Sequence, residues 1–382
     1  MTLSATPPRP LELAGVTPEF GSRALFPDLG FGVYLGHAAI SPLSIVGRRM
    51  VESCLADVAR SGVGSFPVWE AQRDRLRASL ADLIGAEADQ VALTAGTTRG
   101  VTDVALALAL TAGDEIVTYH GEFPANVTPW LLTAQGSGAR VRFLSRPDLS
   151  SSDPSARILE ETAGALRAGA RTVAVSAVQF QTGFFMPLRE LGQLCRAHGA
   201  RLFVDAIQAL GVTSIDVEEL GIDALVGGAH KWLLGLEGAG LLYVRPDFRA
   251  ELEPKTAGWL SHEDAEAFLF RGKNHLSYER PLKSSARVFE GSSANAAGFA
   301  ALEAGVDICR ALGPSAIFEH AQRYNDELEP LVVARGFRSL RSKKTSERSC
   351  ILAFELPDGL DLPALALGFR QKGIVVSSPD GQ

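Results

Sequence analysis

The sequence predicts an α/β protein, with a mostly parallel sheet covered by helices followed by a smaller α+β C-terminal domain. Three observations carry this expectation. Short apolar runs alternate with longer helical stretches between about residues 90 and 245, the pattern of parallel strands joined by crossover helices. From about Ser292 the pattern changes to two long helical stretches, a strand and a further helix. The 382 residues, 46% hydrophobic and 21% charged, suit two domains of ordinary globular composition. The expected division is an N-terminal arm at 1–25, a large domain at 26–290 and a small C-terminal domain at 291–382.

The elements follow in order. Gln90–Ala95 is a strand ending at Gly96, and Thr97–Leu110 a buried helix stopped by the Thr-Ala-Gly-Asp turn at 111–114. Glu115–Tyr119, Arg140–Leu144 and Arg171–Ala177 are further strands. Leu188–His198 is an amphipathic helix ending at Gly199, where a residue without a Cβ can terminate it. Arg201–Asp205, Ile222–Val226 and Gly240–Val244 complete the strands of the large domain. Helices at Ala294–Ala311 and Pro314–Leu331, a strand at Cys350–Glu355 and a helix at Leu362–Lys372 make up the rest. In such sheets ligands bind beyond the carboxyl ends of the strands. Polar residues just after strand runs are therefore the ones to weigh for chemistry.

Charge and cysteine usage exclude several classes. The net charge is −7, with both signs spread along the chain, which argues against nucleic acid and against a basic membrane-binding surface. No stretch reaches the eighteen or so apolar residues of a membrane span. Cys54, Cys195, Cys309 and Cys350 are far apart and form no CxxC pair, so no disulfide framework or metal site is expected. Reduced thiols in a cytoplasmic protein are the simpler reading. The Pro-rich start Met1–Pro10 lacks the basic-then-apolar order of a secretory signal and reads as an extended arm.

Four features fall at strand ends. Thr94-Ala-Gly-Thr-Thr-Arg-Gly100 lies at a strand-to-helix junction. It suits a phosphate at a helix start, or simply an N-cap with a glycine turn. Asp205 directly follows an apolar strand. It either caps the next segment or pairs with a protonated pyridine nitrogen. Gly227-Gly-Ala-His230-Lys231-Trp232 sets a lysine among small and aromatic residues. Partial desolvation there would favour imine formation, whereas an exposed lysine is the commoner fate. His230 is equally readable as a structural histidine. Phe289-Glu-Gly-Ser-Ser-Ala-Asn295 at the proposed domain junction is, by itself, a loop with caps.

In this order along one α/β pattern, a phosphate cradle, Asp205 and the His230-Lys231 pair resemble the fold-type I pyridoxal-5′-phosphate (PLP) enzymes. More narrowly they resemble the class V aminotransferase and cysteine desulfurase family, with its isopenicillin N epimerase-like members. The resemblance runs from about Tyr34 to the end of the chain and is most specific over Val204–Val244. It implies the PLP-dependent transferase (aspartate aminotransferase-like) fold, with Lys231 holding PLP as a Schiff base. It also implies that Thr97 and Thr98 hold the phosphate. Glu122-Phe123-Pro-Ala-Asn126, before Pro129-Trp130, is similar to the family's Glu-His-His-Ala-Asn segment, which places Phe123 against the pyridine ring. Gln179 matches an Asn contacting the 3′ oxygen, and Gln208 another polar contact to the cofactor. Ser293 matches a Thr that reaches the phosphate of a partner subunit, which implies a homodimer with shared active sites. Gly228 departs from the family, where a Ser often binds phosphate, so the grip there is weaker or met otherwise.

Tyr34-Leu-Gly-His37-Ala-Ala resembles the Tyr-Leu-Asn-His-Ala-Ala opening of the aminotransferase-like and epimerase-like members. His37 either faces substrate or is structural. Lys372-Gly-Ile-Val-Val376 resembles the strand before the desulfurases' catalytic-cysteine loop, and in that register Gln382 falls where the loop carries Cys. Persulfide chemistry is therefore not expected, and for the family's carboxylate-binding Arg, which lies further on, the expectation is that either the chain is shortened relative to the family or another Arg serves. The resemblance implies an enzyme acting on an amino acid or similar substrate through α-carbanion chemistry, with aminotransferase as the first reading. A C–S lyase, desulfurase-like enzyme or epimerase without a catalytic Cys is the second. A non-catalytic member that keeps the fold is the third.

Overall fold

The computed structural model describes residues 8–379. Its centre is a seven-stranded sheet: β1 Val91–Thr94, β2 Glu115–Tyr119, β3 Arg140–Leu144, β4 Thr172–Ser176, β5 Arg201–Asp205, β6 Ala224–Gly228 and β7 Gly240–Val244. The strand order is β1-β7-β6-β5-β4-β2-β3. Pairing is parallel from β6 through β3, and β7 runs antiparallel to both its neighbours. The chain therefore has the α/β layout with a mostly parallel sheet.

Strand periodicity sorts the residues between two faces. Leu93, Val117, Val175, Leu202, Val204, Leu225 and Leu241 meet one buried cluster. It includes residues of α2 (Phe66–Ile84), α5 (Pro154–Arg167), α6 (Leu188–Ala197) and α7 (Ala296–Leu312). Their neighbours Ala92, Ile116, Ala174, Phe203, Val226 and Leu242 face a second cluster, built with α3 (Thr97–Ala107) and α4 (Thr128–Ser137). There Trp130 of α4 is fully buried, edge-on to Phe203 at 5.0 Å; truncating such an aromatic costs about 3–5 kcal/mol.

A third cluster lies outside the sheet, where α1 (Ile45–Ser61) and α2 pack on α7. The Ser44 hydroxyl caps α1 by accepting from Gly47 N at 3.0 Å. Gly305 of α7 lies so close to the Leu233–Leu234 turn that an added Cβ would sit 1.8 Å from the Leu233 carbonyl oxygen. Leu234 itself has φ 54°, an unfavourable conformation for a branched side chain. That turn follows Lys231 directly, so packing against α7 fixes where the lysine is presented.

Several elements differ from the sequence expectation. The helix expected over Thr97–Leu110 ends at Ala107, because Leu108 is extended and Asp114 takes the Thr111 N–H into a turn. The strand expected at Ile222–Val226 runs instead over Ala224–Gly228, since Gly227 and Gly228 continue the ladder with β7. Of Cys350–Glu355 only Phe354–Glu355 forms a strand, paired with Arg338–Ser339. The Ser349 and Cys350 carbonyls accept instead from Gln322 and Asn325 of α8 (Pro314–Val333), at 2.8 and 3.5 Å. The helix expected at Leu362–Lys372 is α9, Leu362–Gln371. Within the expected N-terminal arm, Pro10–Ala14 is one short helix, with Leu11 and Leu13 packed on the third cluster; Met1–Pro7 lie outside the described residues, as does Gln382.

Candidate active site

The carboxyl ends of β4, β5 and β6 place the candidate residues together. Asp205 closes β5 and is 3% exposed. Ile207 N donates to its Oδ1 at 3.1 Å, and no other hydrogen bond reaches the carboxylate among the described residues. Burial pushes its carboxyl up to about 7; nearby Glu122 adds to the rise, while the Ile207 N–H and Lys231 oppose it. An acid so poorly partnered and so buried is a natural counter-ion for a bound cation.

Lys231 follows β6 by three residues, half-buried, with Nζ 5.5 Å from the centroid of the Phe123 ring. Burial lowers the proton affinity of its amine and Asp205 partly restores it. Phe123 is 45% exposed, so part of its side chain is open to a ligand. Its edge-to-face neighbour is Phe180, at 5.2 Å. Gln179 is 3% exposed, and its Nε2 is buried with no hydrogen-bond partner.

At the end of β1 the chain turns through Gly96, φ 132°, into α3, and no side chain caps that helix start. Thr97 is buried with its hydroxyl unpartnered, while Thr98 is exposed. Buried polar groups are rarely left without partners. Two of them, Thr97 Oγ1 and Gln179 Nε2, stand on the strand-end rim that also carries Asp205 and Lys231. Donors at the helix start suit a phosphate, Gln179 suits a ring oxygen, Asp205 a ring cation, Phe123 a ring face and Lys231 an aldehyde. The residues present therefore fit PLP.

Other expected contacts are arranged differently. The Gln208 carboxamide is occupied at both ends, donating to Ala38 O at 3.0 Å and accepting from Trp232 Nε1 at 2.8 Å. It clamps the Tyr34–Ser41 segment to the lysine turn. Ser41 does the same, donating from Oγ to Lys231 O at 2.6 Å and from N to His230 O at 2.8 Å. His37 Nδ1 lies 2.7 Å from Ser41 Oγ, and the ring stacks on Trp232 at 5.8 Å. With the Ser41 proton used on Lys231 O, His37 must donate from Nδ1. Burial lowers the His37 pKa to about 4, so the ring is neutral at pH 7 with Nε2 basic.

A side chain at Gly228 would meet Ile207 Cδ1 at 3.1 Å and the His230 ring at 3.2 Å, so these two side chains occupy the space beside the glycine. Burial, then Lys231, lowers the His230 pKa. Ser293 lies on an exposed loop. That loop lines a charged cleft of about 200 Å³ which also reaches Thr94, Ala95 and Gly238. A larger cavity of about 860 Å³ lies elsewhere, between Asp82, Asp216 and Asp307, and none of the rim residues lines it.

Two participants carried no role in the sequence reading. Glu122 and Ser176 form a buried hydrogen-bonded unit beside Asp205. The visible signal was a polar residue ending the apolar run Thr172–Val175, next to another strand that ends in Asp.

The fold and this rim define an α/β protein with a lysine and an aspartate converging at the carboxyl ends of a parallel sheet. The chain belongs to the aminotransferase class-V family, whose model matches residues 55–382. It is 30% identical over 314 residues to a probable cysteine desulfurase of Methanothermobacter thermautotrophicus, covering 81% of this chain and 74% of that protein. It is 29% identical over 333 residues to the isopenicillin N epimerase of Streptomyces clavuligerus, covering 82% and 78%. Among solved structures it resembles a C-DES variant with glycine covalently linked to its PLP cofactor. The TM-score is 0.81 at 22% identity, over 94% of this chain and 91% of that one.

Proposed function

We propose that this chain is a PLP-dependent enzyme acting on an amino acid or amino-acid-like substrate, with Lys231 as the residue that carries the cofactor. The observation behind this reading is the pairing of a buried, under-partnered Asp205 with a desolvated Lys231 beside the half-exposed Phe123. PLP supplies an electron sink for negative charge at the substrate α-carbon. Thr97, with the N–H groups at the start of α3, holds the phosphate. Gln179 donates to the ring oxygen, and Asp205 keeps the ring nitrogen protonated. Lys231, its positive charge disfavoured by burial, would supply a neutral amine that takes the α-proton and passes it on within the site.

Transamination is the first reaction we assign. Elimination at a C–S bond and epimerisation share the proton-removal step and are the alternatives, matching the names of the relatives. A cysteine nucleophile is no part of the proposal. Cys54, Cys195 and Cys309 are buried and Cys350 is half-buried. Burial raises all four thiol pKa values, to about 12 for Cys195, Cys309 and Cys350. Four unpaired thiols suit a reducing, cytoplasmic setting, and no helix among the described residues is long and apolar enough to cross a membrane. We also propose a homodimer in which the exposed Ser293 reaches a partner's phosphate site. A stable, cofactor-loaded monomer in sedimentation would exclude it.

The deciding experiment is borohydride reduction of the PLP-loaded protein, peptide mapping, and a screen of amino acids for products. A pyridoxyl group on Lys231 is expected, with amino-group transfer to a keto acid. Label on another lysine overturns the assignment. Sulfide and pyruvate released without an acceptor would replace transamination by elimination.

A further inference from the structure

Glu122 is a buried carboxyl that the proposed chemistry does not use. It is 8% exposed and follows the turn after β2. Its Oε1 accepts the Ser176 N–H at 2.9 Å, and its Oε2 accepts from Asn126 Nδ2 at 3.0 Å and from the Ser176 hydroxyl. The Asn126 amide cannot be turned the other way. Its Oδ1 accepts from Trp130 Nε1 at 3.2 Å, and an indole nitrogen only donates. Three donors thus converge on Glu122 and oppose the rise in its pKa that burial causes.

The position of this anion matters. Ser176 is the direct cross-strand partner of Asp205 between β4 and β5. The Glu122 carboxylate is therefore anchored on the residue beside Asp205, and its charge raises the proton affinity of Asp205. Neither carboxylate forms an ion pair with Lys or Arg among the described residues. Of the charged groups acting on Asp205, Glu122 raises its proton affinity and Lys231 lowers it. Burial works against ionisation of Glu122, with only its three hydrogen bonds opposing. Two neighbouring buried anions are costly unless a cation settles against them.

We propose that Glu122 is a positioning residue for the cofactor: a fixed buried anion, held by Ser176 and Asn126, whose charge adds to that of Asp205 and so helps keep the ring nitrogen of bound PLP protonated. This rests on the reading that Asp205 faces that nitrogen. The proton stays on the nitrogen, and no bond is made or broken by Glu122.

The test is nitrogen NMR of holoprotein loaded with PLP labelled at the ring nitrogen, titrated with pH, for wild type, Glu122→Gln and Glu122→Asp. Removing a unit charge from such a site should lower the ring nitrogen's apparent pKa by about 1–2 units in Glu122→Gln. Glu122→Asp keeps the charge and should titrate close to wild type. A purely structural role would move both variants alike, which overturns the proposal, as does a Glu122→Gln profile matching wild type. If Glu122→Gln does not load, carboxyl-carbon NMR of wild-type holoprotein decides instead, assigned by the signal missing from Glu122→Asp. Glu122 is expected ionised at pH 7, and a protonated Glu122 overturns the proposal. Wild type that takes up no PLP would instead refute the site reading itself.

Discussion

Strand β5 begins and ends beside a buried aspartate, and the two are treated in opposite ways. At its start, Asp223 is 3% exposed and fully engaged. Its Oδ1 accepts from Arg201 at 3.0 Å and Arg245 at 2.6 Å, and its Oδ2 from Leu202 N at 2.7 Å. Arg201 and Arg245 continue outward to Asp247, and Arg201 also to Glu251. At the other end, Asp205 is buried to the same degree but, among the described residues, holds one backbone hydrogen bond and no ion pair. Burial of a charge must be compensated. Where the chain supplies the compensation, the group is structural. Where it does not, a ligand must supply it, and the apoprotein bears the cost.

The sharpest way to break this comparison is to neutralise each aspartate in turn. Asp205→Asn should slow α-proton exchange of substrate by about 10²–10³-fold, the scale of proton-transfer assistance lost, while leaving the apoprotein at least as stable at pH 8. Asp223→Asn should do the reverse. It should cost about 2–4 kcal/mol, because two guanidiniums lose their shared partner, and barely alter exchange per loaded site. Denaturant unfolding of apoprotein and exchange of the α-proton in heavy water measure the two effects. Asp223→Asn impairing exchange more than Asp205→Asn would dissolve the distinction.

A comparable effect lies in the pH dependence of apoprotein stability. Asp205 has its folded pKa raised to about 7, so between about pH 4 and 7 the folded state holds a proton that the unfolded state has lost. Its contribution therefore becomes less favourable as pH rises through that window, by on the order of 2–4 kcal/mol. His37 acts oppositely. Its folded pKa is lowered to about 4, so the unfolded state binds the extra proton and stability is gained as pH rises from about 4 to 6.5. Asp205→Asn should abolish the first slope and His37→Asn the second, read as apoprotein melting temperature against pH. Loading PLP should flatten the Asp205 slope, and an unchanged slope would separate Asp205 from the cofactor.

The smallest effect on turnover is expected from the thiols. Replacing Cys54, Cys195, Cys309 and Cys350 together by Ala should lower stability through lost packing and leave turnover per loaded protein within about twofold. Loss of activity in one single variant that still folds and loads would assign a cysteine to the chemistry.

Much of this was legible in the amino-acid sequence. Apolar runs of five or so residues between helical stretches defined the strands, because burial on both faces demands continuous apolar composition. Asp205 stood out because it closes such a run and Lys231 because small and aromatic residues flank it shortly after one, and Phe123, Thr97 and Gln179 came with the family pattern. The misplaced ends have local causes: the ladder carried into Gly227 and Gly228, and the Ser349 and Cys350 carbonyls taken up by α8. Neither is visible as a composition change.

The sequence by itself determined the α/β class, the order of the elements and which residue types could meet PLP, since periodicity and strand-end position are local properties of the chain. Only the tertiary structure decided which polar groups were left without partners. Gln208 and Asp223 found theirs within the chain, whereas among the described residues Asp205 keeps a single backbone N–H and Thr97 Oγ1 and Gln179 Nε2 have none. Whether a buried charge is satisfied depends on neighbours brought in from distant segments, and no window of sequence contains them.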